Sequence, residues 1–337
     1  MSSGSIANTF VQNAWYVAGM APEFATNELH GMVITKKPIV IWRTAEGKVV
    51  TASLGENADL FWGVRGGGGN FGVVTSFEFQ LHDVGPVVAG GPVFHRIKDA
   101  EALLKFHREF VKTAPDELTT TVVFLTAPPL PFLPQDVIGT HLVAIATCYS
   151  GPVEEGQRVL APLKKFGTPV ADLIGPIPYV ALQSMFDGTA PPDIQNYWKS
   201  AYLKELDDAS VSAIIANADK MPSPLTAVHI HHLGGAMGRV AGDASAFNNR
   251  DASFIINMVS TWTEKKDDRM NIGWARDFFE EMKRYTMGAY VNFLGEEGED
   301  RVLSAYGQEK YRRLALLKEK YDPTNLFHMN QNIRPQK

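Results

Sequence analysis

Three sets of residues in this 337-residue chain have the types and spacing to do chemistry. The first is a glycine run, Gly66 to Gly69, followed by Asn70, Phe71 and Gly72. Glycines accept positive φ and let a backbone with outward N–H groups approach a ligand closely. Gly67-x-Gly69-x-x-Gly72 has the letters of the dinucleotide fingerprint, but that motif must follow a strand and open a helix. Here a short helix precedes the glycines and a strand follows, and no Lys-Ser/Thr closes the run as in a P-loop. A flexible turn reads as well as a ligand loop. The second set is Tyr290-x-Asn292, a phenol and an amide able to hydrogen-bond a cofactor edge or a substrate hydroxyl. Taken alone, a half-buried strand aromatic and a turn residue describe them better. The third is His229-Ile230-His231-His232, where His229 and His231 share a face at period two and His232 points the other way. No carboxylate or cysteine converges on them, so we expect no metal and read hydrogen-bonded histidines lining a cavity. Cys148, the single cysteine, lies in an apolar strand and reads as an inert core thiol.

The elements that must position these groups follow from periodicity. Asn57-Ala58-Asp59 caps a short helix through Trp62. After the glycines, Phe71, Val73, Thr75, Phe77, Phe79 and Leu81 fall on one face at period two, which predicts a strand. Further strands are expected at 119–126, 141–149, 226–233 and 253–262. Helices are expected at 98–114, with Leu103, Phe106, Phe110 and Ala114 on one stripe, and at 153–166, 207–218, 267–286 and 307–320. Asp322-Pro323 stops the last helix, whose basic residues Lys310, Arg312, Arg313, Lys318 and Lys320 read as a solvated face. Trp262 and Trp274 are read as core. Before residue 50 the pattern is short strands at 14–18, 31–34, 39–42 and 48–50, with a hairpin turn at 45–47. Strands interleaved with helices, several antiparallel, predict an α+β fold.

Composition narrows the functions. Apolar residues make up 45% and charged ones 20%, which suits a globular protein with a real core. The net charge of −5 leaves no basic footprint, so no nucleic-acid or membrane partner is expected. One cysteine excludes an intrachain disulfide framework and a cysteine-rich metal site. No apolar run reaches membrane-spanning length and the first ten residues do not form a signal peptide, so the cytoplasm is the default expectation.

Two segments carry a resemblance. Phe61-Trp62-Gly63-Val64-Arg65-Gly66-Gly67-Gly68-Gly69-Asn70-Phe71-Gly72-Val73-Val74-Thr75 resembles the end of the flavin domain in FAD-linked oxidases of the berberine-bridge type, which read W-x-x-R-G-G-G-x-N-F-G-V-V there. Gly288-Ala289-Tyr290-Val291-Asn292-Phe293, Tyr321-Asp322-Pro323-Thr324-Asn325-Leu326-Phe327 and Asn330-Gln331-Asn332-Ile333-Arg334-Pro335 resemble the terminal module of the same family. The resemblance, over about residues 48–337, implies FAD as cofactor. It places Gly69, Asn70, Gly72 and Val73 on the diphosphate or adenine side, Asn292 and Asn330 at the cofactor, and Tyr290 and Asn292 in catalysis. It implies hydride transfer from a small-molecule alcohol, carbohydrate or secondary metabolite to flavin, and reoxidation by molecular oxygen. The segment around His229 resembles a strand on the substrate side. Many members read Tyr-x-Asn-Tyr and the last tyrosine is proposed as the base. This chain has Phe293, which moves no proton, so a base must be Tyr290 or a residue such as His229, His231 or His232.

The implied architecture is a partial FAD-binding (PCMH-type) subdomain plus a substrate domain with an antiparallel sheet flanked by helices. The expected boundaries are 51–90 for the flavin remnant, 91–286 for the substrate domain, and 287–337 for a berberine-bridge module packing on the flavin domain. Phe10-Val11-Gln12-Asn13-Ala14-Trp15-Tyr16-Val17-Ala18 resembles instead the start of a Rieske-type aromatic-ring oxygenase, so 1–50 is read as a foreign segment joined near residues 47–52. It has no cysteine for a cluster, and one histidine, His30. A chimera lacking the first flavin subdomain is expected to bind FAD weakly or not at all. The alternative to an oxidoreductase is then an inactive fragment acting at most as a binding module.

Overall fold

The computed structural model describes residues 29–34, 37–42, 49–189, 191–295, 298–328 and 331–336. The Rieske-like segment at 10–18, the expected turn at 45–47 and Asn330 lie outside the described residues. Contacts divide the chain into two compact units, residues 1–61 with 73–80, and residues 62–72 with 81–337. This division puts the expected 91–286 and 287–337 segments in one unit.

In the first unit, strands β1 (Leu29–Ile34) and β2 (Lys37–Trp42) form an antiparallel hairpin with Ile34 opposite Lys37. Residues 49 and 50 form no strand, so the hairpin joins β1 to β2 rather than β2 to the segment at 48–50. Helix α1 (Ala58–Val64) begins in this unit. The strand expected at 71–81 is a correction: residues 73–81 carry no strand, and Val73, Phe77 and Phe79 are 72%, 70% and 73% exposed. Alternation says which side chains share a face, and Phe77 does stack on Phe79 at 5.6 Å. A strand also needs a hydrogen-bonded neighbour, and no described strand pairs with this segment.

The second unit opens with β3 (Val87–Arg96), α2 (Ala100–Phe110), β4 (Leu118–Thr126), β5 (His141–Tyr149) and α3 (Val153–Lys165). Short pieces β6 (Ala171–Asp172), β7 (Gly175–Pro178) and α4 (Tyr179–Gln183) come next. Then follow β8 (Gln195–Leu203), α5 (Asp208–Ala218), β9 (Ala227–His232), α6 (Gly235–Arg239), β10 (Phe254–Trp262) and α7 (Asp268–Met282). Helices α8 (Glu299–Tyr306) and α9 (Gln308–Tyr321) complete it. The sheet runs β6-β3-β5-β4-β9-β10-β8, with β7 also on β3, and every pairing is antiparallel. With helices beside an antiparallel sheet, the fold is α+β.

Local chemistry explains the helices. The Asp207 carboxylate accepts from the Ser210 N–H at 2.6 Å and caps α5. Glu154 and Glu155 sit in the first turn of α3, and Lys164 and Lys165 in its last, each favoured by the helix dipole. The helix expected at 98–114 is a shorter α2 between 3₁₀ turns at 97–99 and 111–113. One face of the sheet is covered by α2, α3, α5 and α7. Leu103, Leu104, Leu160, Leu163, Ile214 and Phe278 pack there on Val93, Phe124, Ile145, Ile230 and Ile256. Each buried leucine or phenylalanine contributes roughly 2–3 kcal/mol before entropy is counted. Trp262 and Trp274 are buried, with indole N–H groups donating to Asp268 Oδ1 and the Asn217 carbonyl. Burial pushes the Cys148 thiol up, away from reactivity at neutral pH.

Candidate functional site

The site is built on the other face of the sheet. Along β9, Val228 and Ile230 turn into the core under the helices, so His229 and His231 present to the opposite face. Register aligns two rows across the strands. Ser200, Asn257, His229 and Val123 form one, and Tyr202, Ile255, His231 and Thr121 form the next. His231 Nδ1 lies 3.2 Å from Thr121 Oγ1, and its ring centre is 5.9 Å from that of His229. Burial, followed by the charge of His231, pushes His229 down to about 4, and burial also lowers His231. Both rings are therefore neutral near pH 7. In the first row Asn257 Oδ1 and Ser200 Oγ are buried without a hydrogen-bond partner. His232 looks to the helix side, its ring 5.7 Å from Phe254, and its charge disfavours protonation of His107. No group of three His, Cys, Asp or Glu able to hold a metal occurs among the described residues.

The segment after α7 crosses the end of this face. Met287 N–H donates to the Tyr202 carbonyl (3.0 Å) and Tyr202 N–H to the Gly288 carbonyl (3.1 Å), which extends the edge of β8. Gly288 has φ 150°, and a Cβ there would meet the Asn249 side chain at 2.8 Å. The chain then turns through a 3₁₀ turn, Val291–Phe293. Tyr290 packs against Tyr202, Phe247 and Phe293, with ring centres 6.1, 6.2 and 5.0 Å away. The Phe293 carbonyl accepts from Trp198 Nε1 at 2.8 Å, and its ring lies 6.2 Å from His231. Asn292 is exposed and donates its amide to the Tyr290 hydroxyl at 2.8 Å. The structure thus brings Tyr290, Asn292 and His231 to one end of the face.

The glycine loop is held by close packing. A Cβ on Gly66, whose φ is +122°, would sit 2.3 Å from the Phe247 backbone nitrogen, and one on Gly63 would sit 2.2 Å from Leu317 Cδ2. The loop pairs along residues 243–247: Ala246 N–H donates to the Trp62 carbonyl, Phe247 N–H to that of Arg65, and Trp62 Nε1 to that of Asp243. Asn70 is 2% exposed. Its amide donates to the Gly67 and Gln331 carbonyls (2.9 and 3.1 Å), and its Oδ1 accepts from Ile333 N–H (2.9 Å). The Asn70 side chain is thereby engaged with protein, tying the loop to the terminal segment.

Lys318 completes this junction and corrects the reading of α9 as a fully solvated basic face. It is fully buried and donates to the Asn70 carbonyl (2.7 Å), Asp322 Oδ2 (2.7 Å) and the Phe327 carbonyl (2.6 Å). Burial pushes the Asp322 carboxyl up, but Lys318 and the N–H groups of Phe327 and Leu326 outweigh it and hold it below its ordinary range. Arg313 stacks over the Trp62 ring at 3.8 Å, and Lys310 donates to the Phe247 carbonyl.

Tyr290 and Asn292 offer a phenol and an amide at one end of the sheet face, and the buried unpaired Asn257 Oδ1 and Ser200 Oγ lie on the same face, a donor and acceptor set whose chemistry is compatible with a flavin ring edge. On the loop, Gly68 and Gly72 have positive φ, nothing lies within 4 Å of a Cβ at Gly72, and Gly69 is partly exposed. Val73, in the other unit, is exposed. Sequence reasoning missed Thr121, Ser200, Tyr202, Asn257 and Lys318. Asn257 carried a signal, a lone amide in the apolar run 254–259. Lys318 carried another, an aspartate four residues on, which stands over it in a helix.

Comparison with known proteins identifies relatives of this chain. Residues 289–334 match the family model described as berberine and berberine like. The chain is 30% identical over 293 residues to an FAD-linked oxidoreductase of Dictyostelium discoideum, covering 86% of this chain and 61% of that protein. It is also 30% identical over 290 residues to the uncharacterised FAD-linked oxidoreductase YgaK of Bacillus subtilis, covering 85% and 61%. The chain thus spans about three fifths of the length of these curated relatives. In fold it is similar to 6-hydroxy-D-nicotine oxidase from Arthrobacter nicotinovorans (TM-score 0.71, 23% identity, 91% of this chain and 66% of that one). It is likewise similar to a variant of the Physcomitrella patens BBE-like 1 protein (TM-score 0.72, 20% identity, 87% and 64%). Family match, relatives and fold agree: residues 289–334 form a berberine-like module, and the chain as a whole is similar to berberine-bridge-like, FAD-linked oxidoreductases with a PCMH-type fold.

Proposed function

We propose that this chain supplies the substrate face of an FAD-dependent oxidoreductase that oxidises a hydroxyl- or amine-bearing carbon in a small molecule, with molecular oxygen as the final acceptor. The observation that carries the reading is the Tyr290–Asn292 pair, joined at 2.8 Å and held over the sheet face that bears His231. When bound, the flavin supplies a ring that accepts a hydride. Asn292 and Tyr290 would hold the ring end, Asn330 would contact the cofactor by resemblance, and Gly69 and Gly72 would lie on the diphosphate or adenine side with Asn70 fixing their loop. Asn257 Oδ1 is a buried unpaired acceptor, and Ser200 Oγ is able to accept as well, so the face suits a ligand that donates hydroxyl or amine hydrogens. Similar proteins include a carbohydrate oxidase of Microdochium nivale and a chitooligosaccharide oxidase, which favours an alcohol or carbohydrate substrate.

A second reading, a chain that acts at most as a binding module, is favoured by residues 73–81, extended with Phe77 and Phe79 exposed instead of paired in a sheet. On that reading these residues alone hold FAD weakly. A visible absorption spectrum of the purified protein, before and after acid precipitation, decides between them. Twin flavin bands support the oxidoreductase. Pigment that stays in the pellet adds a covalent link. A protein that stays colourless with added FAD refutes flavin function for this chain by itself.

A further inference from the structure

We infer that His231 is the proton acceptor of the sheet face that carries the Tyr290–Asn292 turn. The inference rests on the proposal that this face receives the substrate. Three observations place it. The Phe293 ring lies 6.2 Å from the His231 ring and 5.0 Å from the Tyr290 ring, so the imidazole stands at the Tyr290–Asn292 turn. Thr121 Oγ1 lies 3.2 Å from Nδ1 and fixes the ring. With Nδ1 engaged by Thr121, Nε2 is the ring nitrogen left to meet a ligand, with no hydrogen bond to it among the described residues, and its lone pair is free in the tautomer whose Nδ1–H donates to Thr121 Oγ1. His231 also shares its row with Tyr202, on which Tyr290 packs, so it is the histidine nearest the Tyr290–Asn292 turn.

The other two histidines fit less well. His232 points to the helix side beside Phe254. His229 lies one row farther from the turn, and burial with the neighbouring His231 holds it down to about 4, a poorer base near neutrality. The titratable and charged groups around His231 are His229 on its own strand, Tyr202 on β8, Tyr290 on the crossing segment, and Arg250, which acts on Tyr202. Burial keeps His231 below its ordinary value, so it is unprotonated and ready at pH 7.

In the step assigned to it, the O–H bond of the substrate hydroxyl breaks with its electron pair left on oxygen. The proton forms an N–H bond on His231 Nε2, giving an imidazolium beside an alkoxide. The two electrons leave the adjacent carbon only in the oxidation itself, whose acceptor is the flavin.

The test uses a nitrophenol more acidic than the depressed imidazole, such as 2-chloro-4-nitrophenol, whose phenol and phenolate forms absorb differently, with the full chain at a pH where the free probe is mostly protonated. The expected result is a phenolate band that appears on binding, together with a shift of one histidine ring signal by NMR in the unmutated protein. In His231→Gln the band falls at least about tenfold, as loss of a positioned base requires. In His232→Gln it is retained. With FAD added and an alcohol that reduces it, His231→Gln also slows reduction about 100-fold or more and removes the acid limb of the pH profile. An unchanged phenolate band in His231→Gln, or no histidine shift in the unmutated chain, overturns the inference whatever the flavin does. A band that depends on His231 while no alcohol or amine reduces added FAD sustains the proton acceptor and refutes the oxidoreductase reading instead.

Discussion

Lys318→Met removes the centre of the junction that ties the glycine loop to the end of the chain. Lys318 and Asp322 are both buried, and the ammonium bonds the carboxylate and two carbonyls, Asn70 and Phe327. Removing one partner of a buried pair costs about 3–5 kcal/mol, because the other charge is left in place without its counterion. Leu326 and Phe327 N–H groups still bond Asp322 at 2.8 and 2.9 Å, which points to the lower half of that range. An exposed lysine on a helix face would cost well under about 1 kcal/mol. The double replacement Lys318→Met with Asp322→Leu removes both charges, and is expected to recover part of the loss. Urea unfolding followed by tryptophan fluorescence measures all three variants, with unchanged m-values confirming that stability alone has moved. A Lys318→Met loss below about 1 kcal/mol would refute the junction and return Lys318 to the solvated face.

Three further outcomes are expected. His107 is fully buried with Nε2 2.9 Å from Thr120 Oγ1, and burial with the charge of His232 pushes it down to about 3. Its folded value is depressed, so its neutral form stabilises the fold fully above the unfolded value near 6.5, and that contribution is lost as pH falls toward 3. Two pH units below the unfolded value the loss is about 3 kcal/mol, and His107→Gln should lower the acid midpoint in a circular-dichroism titration. Gly66→Ala places a methyl 2.3 Å from the Phe247 backbone, so it should cost roughly 2 kcal/mol or more in thermal unfolding, whereas Gly72→Ala meets no atom within 4 Å and is opposed only by its φ of +154°. Phe293→Tyr puts a phenol beside His231, and if flavin reduction by an alcohol is base-limited, its pH profile should gain a second, more alkaline limb.

Much of the sheet was legible because its strands are short runs rich in β-branched and aromatic residues. The strand expected at 141–149 has those bounds, and those expected at 226–233 and 253–262 lie within a residue of the observed ends. The strand β3 escaped notice because Gly90-Gly91-Pro92 reads as a break. In the fold those glycines are what lets it pack: a Cβ on Gly90 would come 2.5 Å from the Thr147 carbonyl, and one on Gly91 2.3 Å from that of Leu173. The segment 71–81 failed the other way. Its alternation was real, but pairing is decided by a neighbour that no local pattern encodes. Tyr290 and Asn292 were found through a resemblance; what the sequence could not convey is that a 3₁₀ turn folds the amide back onto the phenol. Lys318 shows the limit of counting charges along a helix. Its place four residues after Leu314 puts it on the apolar stripe, where a lysine must be paired.

In the proposed arrangement the turn at Tyr290–Asn292 joins a flavin to its substrate over the His231 face. Anaerobic photometry of the FAD-loaded protein with a panel of sugars, alcohols and secondary amines, set beside Asn292→Ala, puts this to the test. At least one class is expected to bleach the flavin bands in the unmutated chain, and the alanine variant to lose this reduction while remaining folded. Flavin that binds and is bleached equally well without the Asn292 amide would contradict it.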